Sequence, residues 1–458
     1  MSEFMRAVVL GGVFLLIFVG AEVIRRSVRP PVEGTRKFVH VAGGIVVLSF
    51  PWVLRSPWTV FGLAVVFGTL IWGTRRLGLL ASVHGVERTS EGGIFYPLGV
   101  VLLFTVAHDQ PVFYLTAALA LVISDAAAAL TGSMYGRAMY AVEGDRRSIE
   151  GSLVFFVVTF FAVHLPLLLM TDVPRDVSVV LALHVAFIVT MLEGVSLWGS
   201  DNLIIPLATY FLLERFTGED VVVIGAHLLI LLLCVSLLSA LSLRTHLLKT
   251  SGVMAAGVFF YAVYLLGGAA WMGVPSVALV GLAAVRWMRR SRADLPDAQY
   301  QVLAIMFTSI VPIMLLVAHT VLPRLFVEPE WVFLASAFRA PFVGVLTGHL
   351  AIVAATQFRP FGPGHRAPPS LGLALALAAG SCALVLPAGL WFVNALSAQS
   401  FLVAGTIGSL ALGLYCFGRT RPAWPAEAPW NMALQTLSTG AAALSVLPVH
   451  LWALAGFG

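Results

Sequence analysis

Apolar segments follow one another along almost the whole chain, and this feature constrains the fold more than any other. A helix needs about 20 apolar residues to cross a bilayer. Most of the sixteen segments approach that length: 5–24, 38–54, 57–73, 94–107, 111–132, 152–170, 178–194, 202–213, 221–243, 252–272, 275–288, 302–322, 331–357, 370–395, 401–417 and 430–453. We expect an all-α, polytopic membrane bundle with about 14–16 transmembrane helices. The short segments 94–107, 202–213 and 275–288 are expected to be half-helices or to extend into their flanks.

The low share of charged residues excludes most soluble classes of protein. Charged side chains make up 11% of the 458 residues and apolar side chains 59%, against about 25% charged in ordinary soluble domains. A soluble enzyme, a disordered chain and a disulfide-built secreted domain are therefore excluded. The three cysteines lie far apart in apolar stretches and match no metal-binding spacing. The net charge of +5 does not indicate nucleic-acid binding, because no basic domain carries it.

The positions of the basic residues predict the topology. If all sixteen segments cross the bilayer and the N-terminus lies outside, 21 of the 27 Lys and Arg residues fall on the cytoplasmic side. Five fall outside, and Arg339 lies within a segment. This excess agrees with the positive-inside rule. We expect an integral membrane protein, in the plasma or inner membrane if bacterial, with its active site facing the cytoplasm and its oligomeric state left open.

Polar motifs concentrate in the first part of the chain. We expect a membrane domain over 1–245 and an additional transmembrane region over 246–458, whose role is left open. A basic and then polar linker at 286–301 marks a further change in composition. The few acidic residues after 245 are Asp294, Asp297, Glu328, Glu330 and Glu427. Because they form no dense magnesium-binding group, no second active site is expected there.

Four polar clusters in the first 210 residues are the candidates for chemistry. The first is EGTRKFVH at 33–40, in which Arg36 and His40 share one helix face and Lys37 adds a second cation. An ordinary positive-inside flank is the alternative explanation of these residues. The second, ERTSEGGIFYP at 87–97, could cap the next helix, although a plain loop explains it almost as well.

The third cluster, at 124–152, is the richest. It begins with Asp125 near the cytoplasmic end of an apolar segment, and an ionisable residue at membrane depth indicates function. Gly132 and Gly136 follow as a small-xxx-small pair, for which tight helix packing is the alternative explanation. The remaining polar residues and glycine of this cluster are Arg137, Arg146, Arg147, Ser148, Glu150 and Gly151. Paired arginines with Ser and Gly suit phosphate oxygens, although a solvated loop is the alternative.

The fourth cluster, at 192–207, supplies two more carboxylates. Glu193 ends one apolar segment, and Asp201 and Asn202 begin the next, where either one alone also makes a good helix cap. The predicted topology places all four clusters on one side of the membrane. Carboxylates there suit Mg²⁺, which prefers oxygen ligands and bridges phosphates. The pattern favours a membrane enzyme that joins a lipid alcohol or lipid phosphate to a nucleotide.

At these residues the chain resembles the polyprenol kinase family, which includes dolichol, phytol and farnesol kinases. The matching stretches are RKFVH at 36–40, SDAAAALTGSMYG at 124–136, RRSIEGS at 146–152 and DNLIIP at 201–206. They span about residues 30–215, under half of the chain. The resemblance implies a CTP-dependent, Mg²⁺-requiring kinase that phosphorylates a long-chain isoprenoid alcohol.

The residues and the resemblance together define the expected site. The resemblance itself points to Asp125, Gly132, Gly136, Ser148, Glu150, Gly151, Asp201 and Asn202. The expected catalytic residues are Asp125, Glu150, Asp201 and His40, and the expected metal ligands are Asp125, Asp201 and Glu193. The expected nucleotide-binding residues are Arg36, Lys37, Gly132, Gly136, Arg146, Arg147, Ser148, Gly151 and Asn202. Arg147 stands where the family usually has Lys, so a planar fork replaces a point charge.

Three other interpretations stay open. The phosphatidate cytidylyltransferases share a similar glycine-rich stretch and also use CTP, but Asp145-Arg146 replaces their usual Ser-Pro. A transporter would be expected to show an internal repeat, and none is visible. The stretches 249–271 and 297–304 resemble parts of the membrane family that contains phytyl-phosphate kinase, which would make the chain a fusion of two kinases.

Overall fold

The computed structural model describes residues 1–28, 32–77, 92–290, 300–357, 371–420 and 428–456. The chain divides into two compact units, unit 1 over Met1–Leu232 and unit 2 over Leu233–Gly458. Each unit has its own hydrophobic core. The domain boundary expected after residue 245 stays a prediction.

Unit 1 consists of helices and one small hairpin. Its elements are α1 (Glu3–Val28), α2 (Val32–Leu48), α3 (Phe50–Val53), α4 (Pro57–Arg76), α5 (Gly92–Ala107), α6 (Pro111–Tyr135), β1 (Met139–Val142), β2 (Asp145–Ser148), α7 (Ile149–Met170), α8 (Arg175–Val195), α9 (Asp201–Phe216) and the first half of α10 (Val221–Thr245). The most extensive packing is between α6 and α7. Further packing of α6 against α2 and α9 places three of the predicted polar clusters side by side.

Within its described residues, unit 2 consists of helices joined by short connections, with one isolated β-bridge between Leu248 and Tyr300. It contains the rest of α10, then α11 (Thr250–Gly267), α12 (Ala269–Arg290), α13 (Val302–Leu325), a 3₁₀ turn (Pro329–Trp331), α14 (Leu334–Ala337), α15 (Arg339–Gln357), α16 (Leu371–Phe392), α17 (Ala398–Thr420) and α18 (Ala428–Gly456). The core of unit 2 includes a buried polar contact: Gln435 Nε2 lies 2.9 Å from His349 Nδ1. No acidic residue takes part in that contact, so it is a packing feature of the helix bundle.

The prediction of a polytopic helical bundle is confirmed. Within the described residues, eleven helices are long and apolar enough to cross a membrane, judged by length and composition, and four shorter apolar helices accompany them. Each of the sixteen predicted segments contains a helix. α5 and α9 have 16 residues each and remain short. α12 extends to 22 residues. Gly268, at φ +84°, ends α11 before the end of the predicted segment 252–272, so the residues that follow Gly268 belong to α12.

The sequence analysis did not predict the hairpin between α6 and α7. β1 and β2 pair antiparallel, with Tyr140 opposite Arg147. Glu143 (φ 45°) and Gly144 (φ 94°) form the two-residue turn, and positive φ at both positions is typical of a type I′ hairpin. The hairpin turns Arg147 and Arg146 to opposite faces because successive strand residues alternate.

A proline in unit 1 explains one buried tyrosine. Pro51 has no N–H to donate to the carbonyl of Val47 one turn earlier in the chain. The hydroxyl of Tyr114, a fully buried residue, donates to this carbonyl at 3.1 Å. At the break between α2 and α3, a side chain of α6 therefore supplies the hydrogen bond that this carbonyl would otherwise lack.

Candidate active site

A cavity of about 350 Å³ lies within unit 1 and has two unlike walls. Helices α1 and α4 supply an apolar wall that includes Phe14, Phe18, Leu63 and Phe67. The polar lining comes from α2, α5, α6 and the start of α9: Lys37, His40, Tyr96, Asp125, Asp201 and Asn202. A molecule with a long apolar part and a polar head would match both walls.

Three side chains form the centre of the polar wall, the Lys37–Asp125–His40 cluster. Lys37 Nζ donates to Asp125 Oδ2 at 2.6 Å, and His40 Nε2 lies 3.5 Å from the same oxygen. Lys37 and His40 share a face of α2 because they are three residues apart. Lys37 is only 9% exposed, and a buried charge of this kind needs its partner. The cluster therefore couples a cation, a carboxylate and an imidazole at one point of the cavity.

A tight turn brings Asp201 to the same wall. Between α8 and α9 the backbone takes positive φ at Trp198 (54°) and Gly199 (87°), a conformation that favours glycine. Asn202 Nδ2 donates to Gly199 O at 3.1 Å and to Asp201 Oδ1 at 3.2 Å, which fixes the turn and the carboxylate together. Asp201 opens α9, which is not one of the eleven candidate spans. Burial, and then the nearby Asp125 carboxylate, raise the pKa of Asp201.

Arg147 and Glu193 form a separate ion pair beside the cavity. Arg147 Nη1 donates to Glu193 Oε1, and its Nη2 donates to the carbonyl and the hydroxyl of Ser196, both at 3.0 Å. The side chains of Arg147 and Glu193 are 22% and 13% exposed. The guanidinium thus ties β2 to the end of α8, and uses the fork geometry that a lysine lacks.

The junction of α6 and α7 accounts for the remaining motif residues. Ser148 caps α7 by accepting from Gly151 N at 3.1 Å, and a Cβ built on Gly132 would lie 2.9 Å from the Ser148 hydroxyl. A Cβ on Gly136 would lie 2.4 Å from the Gly132 carbonyl. Glu150 Oε1 accepts from the backbone N–H groups of Arg137 and Ala138, at 3.0 and 3.1 Å. These residues hold two helices and the hairpin together.

The expected site residues thus fall into three groups. Asp125, Asp201, His40, Lys37 and Asn202 meet at the cavity. Glu193, Arg147, Ser148, Glu150, Gly132, Gly136 and Gly151 have the structural contacts described above and do not line the cavity, so their catalytic, metal or nucleotide roles stay predictions. Arg146 is exposed on β2, and the side chain of Arg36 lies outside the described part of the chain, as do residues 87–91 of the second cluster.

Some residues of the cavity were not singled out by the sequence analysis. Tyr96 lies in the second cluster, where only a helix cap was considered, and its ring contacts His40 with centroids 5.3 Å apart. Ser196, which does not line the cavity but holds Arg147, was not considered either. The aromatic wall of α1 and α4 has no motif that separates it from other apolar spans. Only the three-dimensional packing identifies these residues.

The donor set of the polar wall fits a magnesium–nucleotide complex better than a free metal ion. Within the described residues, no three His, Cys, Asp or Glu side chains are grouped to hold a metal. Mg²⁺ is commonly held by one or two carboxylates together with substrate phosphates, and Asp125 and Asp201 are two such carboxylates. Glu193 pairs with Arg147 and does not line the cavity, so its expected role as a metal ligand stays a prediction.

The fold and the cavity define the class of this chain: a polytopic helical membrane protein with a charged cluster at the wall of an apolar cavity. The chain is 38% identical over 192 residues to the phytol kinase of Synechocystis sp. (strain ATCC 27184 / PCC 6803 / Kazusa), a match that covers 41% of this chain and 82% of that protein. It therefore belongs to the phytol kinase family, within the polyprenol kinases. No family model matches the chain, and no solved structure matches it.

A substitution at Gly99 would test how closely α5 packs against the turn that positions Asp201. A Cβ on Gly99 of α5 would lie 2.4 Å from the backbone oxygen of Asn202, whereas one on Gly62 of α4 would meet nothing within 4 Å. We expect Gly99→Ala to lower the free energy of unfolding by about 1–3 kcal/mol and to reduce catalytic activity, because the start of α9 must move. Gly62→Ala, the matched control, should lower neither of them, because alanine favours a helix more than glycine does. Thermal unfolding and turnover of the two purified variants measure this; equal behaviour of the two would contradict it.

Proposed function

We propose that the chain is a membrane-embedded kinase that transfers the γ-phosphate of CTP to a long-chain isoprenoid alcohol, such as phytol or dolichol, at the cytoplasmic interface. The observation that carries the proposal is the Lys37–Asp125–His40 cluster on the polar wall of a cavity whose other wall is apolar. The relative that is named a phytol kinase supports a kinase that acts on an isoprenoid alcohol. The excess of basic residues on one predicted face supports the cytoplasmic side.

The alcohol occupies the cavity with its isoprenoid chain against α1 and α4. Apolar burial of that chain supplies binding free energy in proportion to area, and its hydroxyl lies beside Asp125 and His40. Either group accepts the hydroxyl proton as the alcohol oxygen bonds to the γ-phosphorus. The bond from that phosphorus to the bridging oxygen breaks, and CDP leaves.

Phosphoryl transfer depends mainly on positioning and on neutralising the phosphate charge. Lys37 supplies a cation that Asp125 holds in place. Asp125 and Asp201 would hold Mg²⁺, which neutralises phosphate charge when bound. Arg146, exposed on the hairpin, can approach the outer phosphates or the base. Arg147 has a positioning role, because its contacts with Glu193 and Ser196 hold the hairpin in place.

The decisive experiment distinguishes donor, acceptor and reaction type. The purified protein in mixed micelles is incubated with Mg²⁺ and CTP or ATP labelled at the γ-phosphate, together with phytol, geranylgeraniol, dolichol or phosphatidate. Labelled isoprenyl phosphate formed from CTP supports the proposal. CTP labelled at the α-phosphate serves as the second probe: formation of a CDP-lipid from phosphatidate would instead make the chain a cytidylyltransferase. If neither a phosphoryl group nor a cytidylyl group is transferred to any acceptor, the transporter interpretation would be favoured instead.

A further inference from the structure

Tyr96 lines the cavity, and its hydroxyl is buried without a hydrogen-bond partner among the described residues. A buried polar group that lacks a partner costs free energy, and most such groups in proteins are satisfied. Tyr96 lies one turn into α5 and its ring packs edge-on to His40, so it borders the Lys37–Asp125–His40 cluster. An unsatisfied donor in this position indicates a partner that comes with a ligand.

We infer that the Tyr96 hydroxyl donates a hydrogen bond to the oxygen of the alcohol bound in the cavity. The inference rests on the proposed function, since it takes an isoprenoid alcohol as the ligand. It assigns Tyr96 to head-group recognition: an alcohol satisfies the hydroxyl, whereas a hydrocarbon of the same length leaves it unpaired. A site built to pair with a ligand hydroxyl discriminates against the analogue that lacks it.

Tyr114 provides a matched control within the same unit. Both side chains are tyrosines of unit 1 helices, but the Tyr114 hydroxyl donates to the Val47 carbonyl, which Pro51 cannot pair. Tyr114 does not line the cavity. Removing each hydroxyl therefore separates a role toward ligand from a role in the fold.

The test compares wild type, Tyr96→Phe and Tyr114→Phe, purified in detergent, with phytol and its saturated hydrocarbon phytane as probes. We expect Tyr96→Phe to unfold at the same or a higher temperature without ligand, because it removes an unpaired hydroxyl. Its affinity for phytol, from ligand-dependent thermal stabilisation, should fall about three- to tenfold, in keeping with one neutral hydrogen bond. Its affinity for phytane should be unchanged. Tyr114→Phe should unfold at a lower temperature and keep the wild-type preference for phytol.

Turnover gives a second measurement. In Tyr96→Phe the KM for phytol should rise by the same factor while the KM for the nucleotide stays at the wild-type value, a split that a purely structural role would not produce. Equal phytol affinity in wild type and Tyr96→Phe would overturn the inference, as would failure of the wild type to bind phytol. A loss of phytol affinity in Tyr96→Phe, without phosphoryl transfer by any variant, would support the inference and contradict the proposed kinase activity.

Discussion

Asp125→Asn is expected to reduce alcohol phosphorylation by about 10²–10⁴-fold, the range typical of losing a group that moves a proton. The substitution keeps the size of the side chain and removes its charge. It deprives Lys37 of its counter-charge and the alcohol of a proton acceptor, and it removes one of the two carboxylates suited to Mg²⁺. Initial rates with labelled CTP measure the loss.

Two further variants separate chemistry from folding in this prediction. Asp109→Asn changes an aspartate whose side chain is 89% exposed, and it should retain the wild-type rate. In Asp125→Asn the buried Lys37 cation remains, so the double variant Lys37→Met with Asp125→Asn should recover stability without recovering activity. Full activity in Asp125→Asn would eliminate Asp125 as the centre of the site.

Arg147→Ala is expected to lower the free energy of unfolding by about 3–5 kcal/mol, the effect of leaving a buried charge without its partner. Glu193 would keep a largely buried carboxylate and lose the guanidinium, and the two hydrogen bonds to Ser196 would disappear. The hairpin would lose its attachment to the end of α8. Thermal unfolding in detergent, at the same protein and lipid concentration, measures the change.

The neighbouring arginine is the control for this second prediction. Arg146→Ala removes an exposed side chain from the opposite face of β2 and should change stability by no more than about 0.5 kcal/mol. Arg147→Lys keeps the charge but not the fork, so its stability should lie between those of wild type and Arg147→Ala. If Glu193→Ala combined with Arg147→Ala is as destabilising as the sum of the two single changes, the ion pair is not the cause.

The sequence was sufficient for the helices, and it singled out the Asp125 carboxylate that lies at the wall of the cavity. Long runs of apolar residues with few charges indicate membrane-spanning helices. Asp125 stands out in such a run because a carboxylate at membrane depth is costly. The partner of Asp125 was less predictable. Spacing placed Arg36 and His40 on one helix face but predicted no partner for Asp125. In the structure Lys37 and His40 contact this carboxylate, a pairing that depends on how α2 packs against α6.

Other parts of the site depend on contacts that no local pattern records. The hairpin forms in a polar stretch whose charged residues are equally compatible with an irregular loop. The Glu143-Gly144 pair alone is only a weak signal for a hairpin turn. Glycines 132 and 136 were weighed between packing and nucleotide binding, and the structure gives both a packing contact with Ser148. The unpaired hydroxyl of Tyr96 can be recognised only when its surroundings are known.

The two walls of the cavity differ in how much added side-chain volume they can accommodate. On the polar side the helices pack closely: a Cβ at Gly44 of α2 would lie 2.4 Å from the side chain of Val122 of α6, and one at Gly99 would lie 2.4 Å from the backbone oxygen of Asn202. On the apolar side, Gly68 of α4 lines the cavity and has nothing within 4 Å of such a Cβ. Redesign of the accepted tail length therefore belongs on α4, where bulk can be added while the reacting groups keep their positions.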